Sequence, residues 1–225
     1  MMHIEHFTFN AFQERSILAW DDNGFCAFFD PGFSTAGERD RLAAYVAEKN
    51  LKPVCIMLTH AHLDHIFGVA ELAELYGIPV YMDAKEKYTL EVTNPFLCKA
   101  FGLPAPKAFE WEAIAASPEG TAAIDVGSLR FEVLETPGHS VGGVCFLERD
   151  SKVLISGDTL FAGAIGRTDH PGGDYDLLMK SIFEKLMCLD GDIAVLPGHG
   201  PDTSIADERM TNPFLLPFNE PYQER

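Results

Sequence analysis

Thr59-His60-Ala61-His62-Leu63-Asp64-His65 sets three imidazoles and a carboxylate within six residues, in a chain with only eight histidines. Those donor types suit zinc, iron or manganese. The apolar run Pro53 to Leu58 comes directly before and reads as a short buried strand. The cluster therefore hangs from the C-terminal end of a strand, where a sheet offers a crevice. In an extended loop, side chains two residues apart point the same way, which pairs His60 with His62. Asp64 and His65 follow after one apolar residue and turn to face a neighbouring point. So short a loop cannot wrap one ion completely. Four donors in one loop predict two adjacent metals, completed by ligands from elsewhere. The bland alternative is a histidine-rich surface loop.

The missing donors recur in one pattern. Strand 129–134 is followed by Thr136-Pro137-Gly138-His139, strand 153–155 by Ser156-Gly157-Asp158, and strand 193–196 by Pro197-Gly198-His199. Each apolar strand ends and a metal-capable side chain follows, with glycines permitting tight turns. Five of the eight histidines thus join one constellation.

The rest of the chain alternates strands and helices. Phe7, Phe9, Ser16–Trp20 and Phe25–Phe29 read as antiparallel strands separated by turns, with Asp21-Asp22-Asn23-Gly24 a strong turn signal. Helices are expected over Glu38–Asn50, Val69–Tyr76 and Asp174 to about Leu189, with a short one capped by Ser204 and ended by Asn212-Pro213. Further strands fit Ile78–Met82, Ala122–Val126 and Val144–Leu147. Residues 84–118 break the rhythm with four prolines among many apolar side chains, too proline-rich for one helix. They read as a lid or pocket wall, or else as a packed excursion of the core.

A length of 225 residues gives one domain, 1–225, with an ample core, and 47% hydrophobic with 23% charged residues is ordinary for a soluble protein. The net charge of −17 argues against a nucleic-acid partner. No apolar stretch reaches membrane-span length, and Met1–Asn10 lacks the pattern of a signal peptide. Five scattered cysteines with no C-x-x-C pair read as thiols of a reducing, cytoplasmic compartment. Oligomeric state is left open between monomer and dimer.

The motif order THAHLDH, PGH, SGD, PGH resembles the metallo-β-lactamase fold superfamily along essentially the whole chain. The resemblance implies an α/β (α+β) fold, a four-layer αβ/βα sandwich with a dinuclear site at one edge. It implies that His60, His62 and His139 hold one divalent ion, that Asp64, His65 and His199 hold a second, and that Asp158 bridges them. Zinc is the first expectation, with iron or manganese as alternatives. Gly157-Asp158-Thr159-Leu160-Phe161 and Gly166-Arg167-Thr168-Asp169-His170-Pro171-Gly172-Gly173-Asp174 look like the glyoxalase II group, the hydroxyacylglutathione hydrolases, in their short bacterial form. Full-length members have a C-terminal helical domain with basic residues for glutathione. Here 26 residues follow His199, with Arg209 and Arg225 their only cations, so another acyl thioester is a possible substrate.

The implied reaction is hydrolysis of a small acyl thioester such as S-lactoylglutathione by a hydroxide shared between two metals. Asp64 would orient the nucleophile and accept its remaining proton. The rival activity is that of a mono-iron persulfide dioxygenase, which shares the Gly-Arg-Thr-Asp run; a third reading is metal binding without turnover. Arg167 either contacts substrate or, preferably, braces the loop through Asp169. His170 either lies near the mouth of the site or, preferably, is capped or solvent-facing. Tyr175 is a further conceivable substrate contact, as are Lys99 and Lys107.

Overall fold

Residues 1–114 and 122–216 are described by a computed structural model. Pro118 and the tail beyond residue 216, with Arg225, lie outside the described residues. The opening segment forms an antiparallel meander of β1 (His3–Phe9), β2 (Glu14–Trp20) and β3 (Phe25–Phe29). Asp21 holds the turn before β3, its carboxylate accepting from the backbone N–H groups of Asn23 and Phe25 at 2.9 and 3.0 Å. Helix α1 (Ala36–Glu48) starts in a reciprocal capping box between Thr35 and Glu38. It leads into β4 (Lys52–Met57), which pairs parallel to β3.

The short helix α2 (Leu63–Ile66) and α3 (Val69–Tyr76) precede β5 (Val80–Met82). Asp64 and His65 therefore sit on a helical turn, which turns them away from the extended His60–His62 stretch. A tight 3-10 turn, Ala84–Glu86, and a wider π-helical turn, Thr89–Thr93, then lead into α4 (Asn94–Phe101). The prolines do not prevent this helix. Pro95 falls in its first turn, where no intrahelical N–H is required, and Gly102 closes it at φ +67°. β6 (Glu112–Ala113) completes a six-stranded sheet in the order β1-β2-β3-β4-β5-β6.

The second sheet contains β7 (Ala123–Val126), β8 (Leu129–Glu135), β9 (Val144–Glu148) and β10 (Val153–Gly157). A small hairpin, β11 (Leu160–Phe161) and β12 (Ala164–Ile165), stands apart. Asp174 caps α5 (Tyr175–Ser181), its carboxylate accepting from the Leu177 N–H, and a wider turn runs on to Leu186. β13 (Ala194–Pro197), β14 (Thr203–Ser204) and α6 (Ile205–Thr211) follow. The second sheet runs β14-β13-β10-β9-β8-β7.

Alternation along the strands gives each sheet two apolar faces, and three buried clusters result. Phe29, Cys55 and Met57 meet Phe131, Phe146 and Ile155 between the sheets. Leu42 and Val46 of α1 and Val69 and Leu72 of α3 cover the outer face of the first sheet. Leu178, Ile182 and Ile205 cover that of the second. The layers are therefore helix, sheet, sheet and helix, as the resemblance implied.

Burial also sorts the cysteines. It raises the thiols of Cys26 and Cys55 to about 12 and that of Cys145 to about 11, whereas Cys188 is exposed and Cys98 half-buried. Native labelling with iodoacetamide should modify Cys188 and Cys98 and spare the other three, because the thiolate is the nucleophile. Rapid modification of Cys26, read by peptide mass, would contradict this burial.

Candidate metal centre

The C-terminal ends of β3, β4, β8, β10 and β13 deliver Asp30, the Thr59–His65 segment, His139, Asp158 and His199 to one edge of the sandwich. The sharp turns need glycine at two positions. Gly157 has φ +49°, and a Cβ there would lie 2.2 Å from the Thr59 hydroxyl. At Gly198 a Cβ would lie 2.5 Å from Asp158 Oδ1.

Two compact donor groups hold residues singled out in the sequence, and a third, Asp30 with His60 and His65, shares their histidines. One donor atom from each of His60, His62 and His139 lies within 4.8 Å of the others, and the same holds for Asp64, His65 and His199. Asp158 stands between the groups. Its Oδ2 is 3.5 Å from His139 Nε2 and 3.6 Å from His199 Nε2, and its Oδ1 is 3.4 Å from His65 Nε2. Asp64 Oδ2 lies 3.3 Å from His199 Nε2. The seven residues singled out in the sequence are thus brought together.

Hydrogen bonds fix which nitrogens face inward. The Thr59 hydroxyl donates to Asp30 Oδ2 at 2.5 Å, so its oxygen is left to accept from His60 Nδ1–H at 3.0 Å. His65 Nδ1–H donates to Asp30 at 3.1 Å, and His139 Nδ1–H donates to the Arg167 carbonyl at 2.8 Å. Carboxylates and carbonyls only accept, so each of the three rings carries a proton on Nδ1 and turns its Nε2 inward. His62 Nδ1 lies 2.8 Å from His139 Nε2, a spacing that holds either one proton or one cation. His60 Nε2, His62 Nε2, His65 Nε2 and Asp158 Oδ1 are buried without a hydrogen-bond partner in the protein. Buried donors and acceptors are rarely left unsatisfied, and each of these residues belongs to one of the close donor groups or to the carboxylate between them, so the residues fit divalent cations.

The charge states agree with that fit. Burial pushes His60, His62 and His139 below the usual histidine range, which leaves neutral imidazoles. Burial also opposes charge on His65 and His199, but the carboxylates of Asp158 and Asp64 prevail and raise both. Burial disfavours ionised Asp158, yet His65 beside it holds the carboxyl well below the usual range. The second group is therefore an imidazolium–carboxylate network whose protons a cation would displace.

Three supporting residues escaped the sequence reading. Asp30 also accepts from the Thr59 N–H at 2.8 Å, so its oxygens are taken up in orienting His65 and Thr59. It follows an apolar strand just as the ligand residues do, a signal that marks it in retrospect. Glu86, fully buried, accepts from the N–H groups of Ala61 and Gly142, each at 2.7 Å. Asn94 donates its amide to the Ala61 carbonyl at 2.8 Å. The peptide between His60 and His62 is thus clamped from both sides by residues 84–94, and Glu86 ties it to the loop that carries His139. Glu86→Ala would leave two buried N–H groups without an acceptor. We expect a loss of about 3 kcal/mol, or roughly 6–12 °C in thermal midpoint. An unchanged midpoint by calorimetry would show that the clamp is idle.

A cleft of about 420 Å³ opens over the two groups. Its lining includes Leu97 and Phe101 from the 84–118 segment, so that part of the segment forms a pocket wall. His170 lies in the cleft rather than in solvent. Its ring is 4.6 Å from that of His62 and 5.2 Å from that of His139, and its buried Nε2 has no partner. The compact Pro171-Gly172-Gly173 turn, in which the Gly173 N–H donates to the His170 carbonyl at 2.9 Å, holds it there. Arg167 also lines the cleft, but its guanidinium makes two bonds to Asp169, at 2.7 and 3.0 Å, in the bracing arrangement. Tyr175 is 48% exposed at the start of α5 and is not among the residues lining the cleft. Lys107 pairs with Glu71 away from it.

A family profile described as the metallo-beta-lactamase superfamily matches residues 10–199. A hydroxyacylglutathione hydrolase, GloC, of Haemophilus influenzae is 39% identical over 218 residues, covering 95% of this chain and 98% of that protein. Among solved structures, the BLEG-1 B3 metallo-beta-lactamase superposes with a TM-score of 0.86 at 34% identity, over 95% of this chain and 99% of that one. TTHA1623 in a di-iron-bound form superposes with a TM-score of 0.81 at 34% identity, over 94% and 100% of the two chains.

Proposed function

The chain belongs to the metallo-β-lactamase superfamily and carries the histidine and aspartate groups of a metallo-hydrolase, and from that premise we propose that it hydrolyses an acyl thioester at a dinuclear centre. One observation carries the reading: Asp158 stands within 3.6 Å of donor nitrogens from both groups, where a single carboxylate can serve two ions. Similarity to GloC over nearly its whole length supports a thioester substrate.

In this reading His60, His62 and His139 would hold one ion, Asp64, His65 and His199 would hold the other, and Asp158 would serve both. Divalent ions held there supply Lewis acidity and lower the pKa of water toward about 7. Asp64 orients the attacking water and takes its remaining proton as the tetrahedral intermediate collapses. The unpaired Nε2 of His170 gives the cleft a directional contact for substrate. A thiol of ordinary pKa, about 8.5, departs as thiolate without a proton donor, whereas an amine leaving group requires one.

The test is metal content per chain, by elemental analysis of protein grown with zinc, iron and manganese all present, followed by a thiol-release assay with S-lactoylglutathione. Near two equivalents with thioester turnover is the expected result. One equivalent of iron, with oxygen uptake on glutathione persulfide and no thiol release from thioesters, would replace this reading with the dioxygenase. Turnover of nitrocefin in preference to thioesters would replace it with a β-lactamase.

A further inference from the structure

Resting on the thioester-hydrolase reading, we propose that this site selects an apolar acyl group carried on an uncharged thiol, in preference to a hydroxyacyl group carried on glutathione. Three pieces of chain supply the wall of the cleft above its polar floor. Phe12, from the turn between β1 and β2, joins Leu97 and Phe101 of α4, and the β11–β12 hairpin adds Phe161 and Ile165. The apolar wall begins at the donor groups themselves, because the Phe161 ring stands 6.3 Å from that of His199. At the outer end Phe12 and Phe101 meet edge to face at 5.6 Å, and Phe101 is half exposed. Phe12 is partly buried and Phe101 leaves half its surface to solvent, which an apolar group entering the cleft would cover.

Charge points the same way. Glutathione carries two carboxylates and one ammonium, one net negative charge, and it would approach a chain of net charge −17. Arg167 is the one lysine or arginine among the described residues that line the cleft, and its fork is already engaged by Asp169. A lactoyl hydroxyl against Phe161 and Ile165 would exchange water for an apolar surface without gaining a partner. A methylene placed there gains instead, by about fourfold in binding when fully buried.

The experiment uses metal-loaded protein and a matched set of acetyl, butyryl, hexanoyl and lactoyl thioesters, each on N-acetylcysteamine and on glutathione. The readout is kcat/KM from thiol release. We expect a rise of about fifteenfold from acetyl to hexanoyl, with four added methylenes half buried. The N-acetylcysteamine esters should at least equal those of glutathione. Phe101→Ser and Phe12→Ser should flatten the chain-length dependence. Calorimetric titration with the unhydrolysable S-hexyl thioether of N-acetylcysteamine should give tighter binding than S-methylglutathione. Preference for lactoylglutathione over the hexanoyl ester of N-acetylcysteamine would overturn this inference and leave the thioesterase reading standing. Absence of hydrolysis across the whole set would remove both.

Discussion

His62→Ala is expected to lower kcat/KM for thioester hydrolysis by at least about 1000-fold while the protein still folds. Losing a residue that merely supports a metal ligand commonly costs 10–100-fold, and His62 is placed as a ligand itself. Its Nδ1 lies 2.8 Å from His139 Nε2, its ring is buried, and its Nε2 has no protein partner. The ring packs on other rings of the site, at 4.7 Å from His60 and 4.6 Å from His170. Little of the apolar core depends on it, since the three buried clusters contain none of the histidines. Circular dichroism should therefore show a cooperative melt close to that of the parent, alongside the lost activity. Full activity with full metal content would remove His62 from the centre and the hydrolase reading with it.

Much of this site is legible before folding because its donors sit where strands stop. Strand runs such as Val153–Ile155 and Ile193–Leu196 are visible from hydrophobicity alone, and a polar residue just past the glycine must leave the sheet at the edge. Supporting residues follow no such rule. Glu86 lies in Ala84-Lys85-Glu86-Lys87, which reads as a solvated turn, yet its side chain alone turns inward to meet two backbone N–H groups. Asn94 precedes Pro95 in a segment that looks too broken for a helix, although proline in a first turn costs nothing. Local periodicity carries no record of which distant peptide a side chain will satisfy. His170 shows the same limit, since its place beside His62 depends on a contact across more than one hundred residues.

Asp158→Asn should reduce metal content below one ion per chain, whereas His199→Ala should leave close to one. The contrast follows from charge more than from ligand count. His60, His62 and His139 are neutral ligands, and the carboxylate of Asp30 is taken up by Thr59 and His65. That leaves Asp64 and Asp158 as the only anions within the two donor groups and the bridge between them. Two dications roughly 4 Å apart repel by about 16 kcal/mol at an effective dielectric near 20. A carboxylate between them offsets that repulsion for both ions at once, and asparagine keeps its shape but not its charge. His199 faces only the second group, through Asp64 at 3.3 Å and the near oxygen of Asp158 at 3.6 Å. Its removal leaves the three-imidazole group and the bridging carboxylate in place to hold one ion. Elemental analysis of both variants after equilibration against one zinc concentration decides the point. Equal losses in the two would mean that Asp158 serves the second group alone, and a normal content in Asp158→Asn would mean that it bridges nothing.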